Sequence, residues 1–408
     1  MRGQSEGLDL KWLERVLIDE SSSSKIIRIV GVEKAESAVP AGENYCSTIF
    51  RVKLRCEFEC GDEKCISVIV KQVIPSEEKN LIIEMLPEVF KIEIEVYSVI
   101  FPLMEKLMAE FNDEREKLWC HFYGNSGNQA IVFEDLSESG FKTLRRTDWL
   151  SFEYSSTVLK NLARFHAMSK ILMDRELIGK SNFPNNTMCN YDEFGQKLYA
   201  GPLEVLAEAM VDSWGHEWKE VSDRILLQVP FVAQKVNELA NFIDDRYSVF
   251  SHGDLWTCNI MLKTGEDNTI ESLRFLDFQL PFINSFIWDV IIFMFTSINP
   301  RVRRSKEHEL LTVYHESLVQ NLRLFNCQSY VPTMDDVTSE FERVSFLAFI
   351  FNMTFFPMSS SSKCKPFEIR KILDLTPQEV FDKNAFTDER LVPELKEDLR
   401  IYVDKGVI

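Results

Sequence analysis

The sequence contains no C-x-x-C pair, no G-x-x-x-x-G-K-[ST] and no G-x-G-x-x-G. Its amino-terminal stretch, MRGQSEGLDLKWLERVL, holds no cleavable apolar segment, and nine cysteines leave one over after any pairing. A cytoplasmic protein with reduced thiols is therefore expected. Without a secretory route, the patterns Asn185-Asn186-Thr187 and Asn352-Met353-Thr354 read as chance matches to a glycosylation signal. No basic stripe relieves a formal charge of -18, with 64 acidic against 46 basic residues. Such a surface repels polyphosphate backbones, so nucleic acid is not expected as a partner. Internal repeats are missing as well, and the serine tracts 21–24 and 359–362 are no longer than loops. The most apolar run, Leu280 to Ile298, is barely long enough to cross a bilayer and carries Asp289 near its centre. It reads as a buried core helix, and no membrane span is expected.

What is present suits a folded enzyme. At 408 residues, 45% hydrophobic and 27% charged, the chain is long enough for two lobes with a cleft between them. Residues 9–19 carry a helical period and lead into a β-like segment at 26–32. From Ile49 to Phe58 apolar and charged residues alternate, Phe50, Val52, Leu54, Cys56 and Phe58 against Arg51, Lys53, Arg55 and Glu57, which predicts a half-buried strand. A hairpin partner follows at Cys65 to Val73. From Pro87, placed as a first-turn residue, Phe90, Ile94, Tyr97 and Phe101 form a helical stripe. Gln129 to Phe133 predicts a third strand that runs into Glu134-Asp135-Leu136, and the chain beyond is mainly helical, including 158–172 and 201–243. Short β-like pieces stand at 247–252 and 273–278. Thr376-Pro377-Gln378-Glu379 has the form of a capping box. The expectation is an α+β, bilobal architecture. An N-terminal lobe of antiparallel sheet plus helix spans residues 1–137, and a larger, mainly helical C-terminal lobe spans 138–408.

The chemical signal is His252-Gly253-Asp254-Leu255-Trp256-Thr257-Cys258-Asn259 followed by Leu276-Asp277-Phe278. Phosphoryl transfer needs a carboxylate to accept the proton of the attacking hydroxyl, and hard oxygen ligands for Mg²⁺. Asp254 suits the base, and Asn259 and Asp277 suit the metal ligands. An H-G-D triplet alone would read as a capped turn; the ordered Asn and second Asp change that reading. Lys71, on an apolar strand, and Glu93, on the Phe90 and Tyr97 face of the next helix, both point inward. Taken singly they read as a snorkelling lysine and a solvated acid. In this order they read as an ion pair gripping the α- and β-phosphates of ATP. Gly42, Asn44 and Ser47 stand where a phosphate-covering turn would lie, though a plain hairpin turn accounts for them equally well. Glu134, Asp135 and Leu136 stand where a hinge would present backbone groups to adenine, though a strand end with solvated acids accounts for the side chains equally well. His166 reads as a satisfied core histidine, and Asp289 as a brace for the catalytic loop. Trp214 and Trp218 either line an acceptor pocket or belong to the core.

With Gly42-x-Asn44-Tyr45-x-Ser47, Lys71, Phe90-x-x-Glu93-Ile94-x-x-Tyr97, Glu134-Asp135-Leu136, Phe165-His166-Ala167, His252-Gly253-Asp254-Leu255-Trp256 and Asp277-Phe278-Gln279, the sequence resembles the ecdysteroid kinase-like family of insects and related invertebrates, relatives of choline kinases and aminoglycoside phosphotransferases. The resemblance implies a protein-kinase-like fold, ATP with Mg²⁺, and transfer to a hydroxyl of a small-molecule alcohol, in the best-known members an ecdysteroid. It also hands Lys71, Glu93, Asp254, Asn259 and Asp277 the roles assigned above. Cys258 departs from relatives that carry a second asparagine there. Two other readings stay open: a choline, ethanolamine or xenobiotic alcohol kinase, and a kinase-like binding protein without turnover.

Overall fold

A computed structural model describes residues 9–20, 26–39, 47–73, 81–183, 189, 192–365 and 369–408. Gly42, Asn44 and the Asn185-Asn186-Thr187 pattern lie outside the described residues. Five strands, β1 (Ile26–Ser37), β2 (Ser47–Phe58), β3 (Glu63–Val73), β4 (Phe122–Ser126) and β5 (Ala130–Glu134), form one antiparallel sheet in the order β1-β2-β3-β5-β4. Helix α1 (Leu10–Glu20) precedes it, capped by Asp9, whose carboxylate accepts the amide protons of Lys11 and Trp12 at 3.0 and 3.1 Å.

The two-residue period of the strands decides what each face of the sheet can do. Val52, Leu54, Cys56 and Phe58 of β2, Val68 and Val70 of β3, and Ala130 and Val132 of β5 are buried together with Trp12, Leu13 and Leu17 of α1. The alternate residues therefore face the other way. Ile49, Lys71 and Ile131 stand in register across β2, β3 and β5. Lys71 thus shares its face with Ile69, Ile131 and Phe133 rather than with the α1 side.

That second face meets α2 (Leu81–Glu95) and α3 (Phe101–Glu110), which are joined by a π-helical turn, Val96–Ile100. Pro102 supplies a physical reason for the widened turn, since its nitrogen cannot donate back into the helix. Because α2 begins at Leu81, Pro87 falls inside the helix and not in its first turn. A proline inside a helix costs one backbone hydrogen bond.

Helices dominate the rest: α4 (Phe152–Asp174), α5 (Glu193–Ala209), α6 (Lys219–Gln228), α7 (Val232–Asn241), α8 (Ile287–Thr296), α9 (Pro300–Leu324), α10 (Met334–Arg343), α11 (Ser345–Ile350), α12 (Phe356–Ser360), α13 (Pro377–Val380) and α14 (Val392–Asp404). This is the α+β arrangement expected, an antiparallel sheet with helices followed by a larger helical region. The stretch 201–243 is not one helix but α5, α6 and α7 separated by π and 3₁₀ turns. The capping box at Thr376 is present and opens the single turn α13.

Five short strands sit among the helices. β6 (Lys142–Thr143), β8 (Ile260–Thr264) and β9 (Ile270–Phe275) form one sheet, and β7 (Ser248–Ser251) pairs with β10 (Phe282–Ser285). The apolar run from Leu280 therefore splits into a strand and a helix. Pairing with β7 satisfies the backbone of its first part, and α8, buried throughout, takes the second. No helix among the described residues is long and apolar enough to cross a membrane. None of the eight described cysteines is in a disulfide.

One large core joins α2, α3, the cleft-side face of the sheet and the helices. Phe278 is its junction: its ring lies 4.8 Å from Phe101, 5.7 Å from Phe165 and 4.5 Å from His252. A buried ion pair adds a polar tie, Arg164 of α4 to Asp113 just beyond α3 at 2.9 Å.

Candidate active site

Asp254 and Asn259 lie on the loop between β7 and β8, and Asp277 just after β9, so the β8–β9 hairpin, enclosed between the paired strands β7 and β10, carries all three to one place. The loop is held from beneath by Asp289 of α8. Fully buried, Asp289 accepts the backbone amide protons of His252 at 2.6 Å and Gly253 at 2.8 Å. His166 of α4 stands 2.9 Å from the same carboxylate through Nε2 and 2.7 Å from the Tyr314 hydroxyl through Nδ1. Burial alone would raise the Asp289 carboxyl; the donors from His166 and Gly253 outweigh it and hold the group below its usual range. His166 is satisfied in the core, and it also steadies the brace.

His252 fixes the loop from within. Its Nε2 donates to the Leu276 carbonyl at 2.9 Å and its Nδ1 accepts from the Asp254 amide at 3.3 Å. Burial lowers its pKa, which suits the neutral ring that this donor and acceptor pattern requires. Asn259 donates its amide to the Asp254 carbonyl at 2.8 Å and to Asp254 Oδ2 at 3.0 Å. The acceptor end of that amide is then the end suited to a cation.

Asp277 adopts φ 64°, a left-handed conformation in a non-glycine residue and a strained one. Its Oδ1 lies 2.6 Å from Lys71 Nζ. Lys71 also stands 2.8 Å from Glu93 Oε2 and 3.0 Å from Oε1, both side chains being buried. Desolvation opposes the lysine charge, but the two carboxylates overcome it and push its pKa up. Glu93 is pushed up to about 7, chiefly by burial, with Lys71 pulling the other way. Gln279 completes the cluster by donating its amide to Glu93 Oε2 at 3.2 Å. In the Asp-Phe-Gln sequence the third residue thus holds the carboxylate that holds Lys71. The motif was legible, but this contact was not, because Glu93 and Gln279 are 186 residues apart.

Asp254 is pushed up to about 8, first by burial and then by the charge of Asp277; its bond from Asn259 works against both. Neutralising Asp277 would relieve the second cause.

Asp135, following β5, is gripped from the sheet. Arg51 Nε reaches its Oδ2 at 2.7 Å, Ser67 donates to the same oxygen at 2.6 Å, and Ser137 donates to Oδ1. Glu134 and Leu136 both line the cleft, but the Glu134 carboxylate itself accepts the His121 amide proton at 3.1 Å. Ser47 opens β2 opposite Val73 and is buried; it is not among the residues lining the cleft, where Ala38, Val39 and Ile49 stand instead.

A cleft of about 390 Å³ contains Lys71, Glu93, Asp254, Asn259 and Asp277. It continues past Asp254 into a region walled by Tyr199, Trp288, Ile292, Phe351, Phe355 and Met358. Tyr199 is close enough to Asp254 to feel its charge, although burial and Cys189 do more to raise its phenol. Trp214 and Trp218 are not part of this wall. They are buried edge to face beside Lys396, and Trp214 donates to the Phe386 carbonyl at 2.8 Å, so they belong to the core. The wall residues were missed in the sequence because nothing distinguishes an apolar residue that faces a cleft from one that faces its neighbours.

The donor set suits a hard cation. Among the described residues no cluster of three or more His, Cys, Asp or Glu side chains could hold a metal. A site of one carboxylate and one amide oxygen fits Mg²⁺ that takes its remaining ligands from phosphate and water.

The model of the ecdysteroid kinase-like family matches residues 41–327, more than half of the chain. Comparison with curated proteins gives no match.

Proposed function

The chain belongs to the ecdysteroid kinase-like family, and from that premise we propose that it is an ATP- and Mg²⁺-dependent kinase acting on a hydroxyl of an apolar small molecule, an ecdysteroid or similar sterol. The observation that carries this reading is the single cleft in which Lys71, tied to Glu93 and Asp277, stands with Asp254 and Asn259 beside an apolar chamber. In this reading residues 1–137 form the ATP-binding lobe and 138–408 the catalytic and acceptor lobe. The backbone at Glu134 and Leu136 meets adenine, and Gly42 and Asn44 belong to the turn over the phosphates, which Ser47 anchors as the first residue of β2 without reaching the cleft itself. A cytoplasmic location, where ATP is at hand, belongs to the same reading.

Asp254 takes the acceptor's hydroxyl proton as its oxygen bonds to the γ-phosphorus; the bond from that phosphorus to the β-γ bridging oxygen breaks, and ADP leaves. Asn259 orients Asp254 through its amide nitrogen. Lys71 holds the α- and β-phosphates, positioned by Glu93, which Gln279 steadies in turn. Mg²⁺ on Asn259 and Asp277 would supply charge neutralisation at the β- and γ-phosphates. His166 and Asp289 keep the loop rigid, so orientation is set before the acceptor enters.

The charge of the chamber separates acceptor classes. Among the described residues, every acidic side chain lining the cleft, namely Glu93, Glu134, Asp135, Asp254 and Asp277, stands on the nucleotide side or at the point of transfer. A cationic head group such as choline would find aromatic rings but no carboxylate of its own. Turnover is favoured over a silent binding role because Lys71, Asp254, Asn259 and Asp277 are all in place. The test is purified protein with labelled ATP, Mg²⁺ and a panel of ecdysteroids, other hydroxylated sterols, choline, ethanolamine and aminoglycosides. Label is expected in a sterol phosphate. Label in choline or ethanolamine alone would defeat the sterol reading, and no transfer together with no Mg·ATP binding by calorimetry would defeat the kinase reading.

A further inference from the structure

Among the described residues four cationic side chains line the cleft: Arg51, Lys71, Arg146 and Lys365. Arg51 is paired with Asp135, and Lys71 with Glu93 and Asp277. Among the described residues Arg146 and Lys365 have no carboxylate partner. In a chain with 64 acidic residues against 46 basic ones, two unpaired cations in one cleft run against composition.

Arg146 is not merely solvated. Its Nη1 donates to the carbonyls of Ser359 at 2.9 Å and Ser361 at 2.8 Å, at the end of α12. Neutral acceptors fix a guanidinium in place without cancelling its charge, and the remaining N–H groups keep their fork geometry. Burial and the charge of Asp382, whose carboxylate accepts the Lys365 amide proton at 2.9 Å, push the Cys364 thiol up, and the charge of Arg146 pulls it the other way. Met358, Ser359, Cys364 and Lys365 all line the cleft, so this stretch brings Lys365, and the Arg146 that its carbonyls hold, to the wall that Phe351 and Phe355 begin. A half-buried, immobilised cation against apolar residues is costly unless an anion meets it.

We propose that the preferred acceptor is an amphiphile: an apolar, hydroxylated body carrying an anionic group, a carboxylate or a sulfate ester. Its hydroxyl would sit at Asp254, its body against Tyr199, Trp288 and Phe355, and its anion on Arg146 with Lys365. This rests on the kinase reading of the same cleft and narrows it. Arg146 lies within the family match, whereas the segment 358–365 that holds it lies beyond the match, which ends at residue 327.

A matched pair of probes tests the idea on the full chain: a trihydroxylated steroid carboxylic acid and its methyl ester, which share every alcohol and differ in one charge. Calorimetric affinity and phosphoryl transfer should both favour the acid, on the order of tenfold to a hundredfold, as for a charge-assisted hydrogen bond. Arg146→Gln should bring the acid-to-ester ratio towards one while KM for Mg·ATP holds, and Arg146→Lys should restore part of the ratio. Lys365→Ala, at an exposed residue whose loss does not threaten folding, should reduce the ratio less. Equal use of acid and ester overturns the proposal. So does an Arg146→Gln variant that raises KM for Mg·ATP and keeps the ratio, since the cation would then serve the nucleotide. If neither probe binds while Mg·ATP does, the proposal fails and the kinase reading stands; loss of Mg·ATP binding as well removes both.

Discussion

At the Lys71 end of the cleft the charged groups at its centre are tied to one another: lysine to two carboxylates, Gln279 to Glu93, Asn259 to Asp254. At the Phe355 end the walls are aromatic and aliphatic, and among the described residues neither cation, Arg146 nor Lys365, has a carboxylate partner, Arg146 being held by backbone carbonyls. The first arrangement tolerates little displacement, because every group is another's partner in a low-dielectric setting. The second is a sum of apolar surfaces that can change one side chain at a time. A single cleft can therefore keep one chemistry while its acceptor changes, and substitutions at the two ends should fail in different ways.

The sharpest contrast is expected at the point of transfer. Asp254→Asn should reduce kcat on the order of a hundredfold to ten-thousandfold with Mg·ATP affinity by calorimetry largely retained, because shape is kept and the proton acceptor is lost. A kcat within about threefold of the parent would sink the assignment. Asp277→Asn should instead move the magnesium titration itself, since an amide cannot replace the anionic ligand.

Next in size is the brace. Asp289→Ala leaves two backbone amides and His166 without their acceptor, so unfolding stability should fall by about 3–5 kcal/mol, as for a buried polar pair broken from one side. Chemical denaturation measures this, and a loss under about 1 kcal/mol would mean that the loop holds its own shape.

Gln279→Leu tests whether the third residue of Asp-Phe-Gln matters to the lysine. A fall in kcat/KM for ATP of roughly tenfold is expected, against little change in KM for the acceptor. In a double-mutant cycle with Glu93→Gln the two effects should be far from additive, as they share one carboxylate. Simple additivity would show that they act apart.

Phe355→Ala probes the opposite end. It removes wall area without touching a hydrogen bond, so acceptor KM should rise roughly tenfold while KM for Mg·ATP stays level. If the nucleotide constant moves as much, the division of the cleft is wrong.

The smallest effect lies outside the cleft. Burial would raise the Asp113 carboxyl, but Arg115 and Arg164 outweigh it and hold the pKa below the usual 3.8. A carboxyl lowered by folding contributes stability that is full above 3.8 and is lost as pH falls through the lower folded value. Asp113→Asn should therefore flatten the acid limb of a stability-versus-pH curve and leave its neutral part parallel to the parent's. An unchanged acid limb would show that the pair does not form.

Much of the phosphate end could be read in order along the chain, since Asp254 and Asn259 belong to one loop and Lys71 stood out as a charge on an apolar strand. Glu93 was legible for the same reason, being acidic on a helical face otherwise set by Phe90 and Tyr97. Asp289, amid Trp288 and Val290, signalled a buried partner, though not that it would be the amides of His252 and Gly253. Pro87 misled, because a first-turn preference is a local statistic and the helix begins at Leu81.

The alternation that turns Lys71 towards the cleft, the contiguous loop from His252 to Asn259, and the strand before Asp277 follow from the order of residues alone. Each of these is a short-range consequence of backbone geometry, readable from period and order. Long-range packing was needed to choose which apolar residues line the chamber beside Asp254, to keep Trp214 and Trp218 out of it, and to bring Gln279 to Glu93 and Arg146 to the carbonyls of Ser359 and Ser361. Those contacts join residues more than a hundred positions apart. Burial is non-directional: the same phenylalanine serves a core or a cavity, and only the packing of distant elements leaves space beside one and not the other.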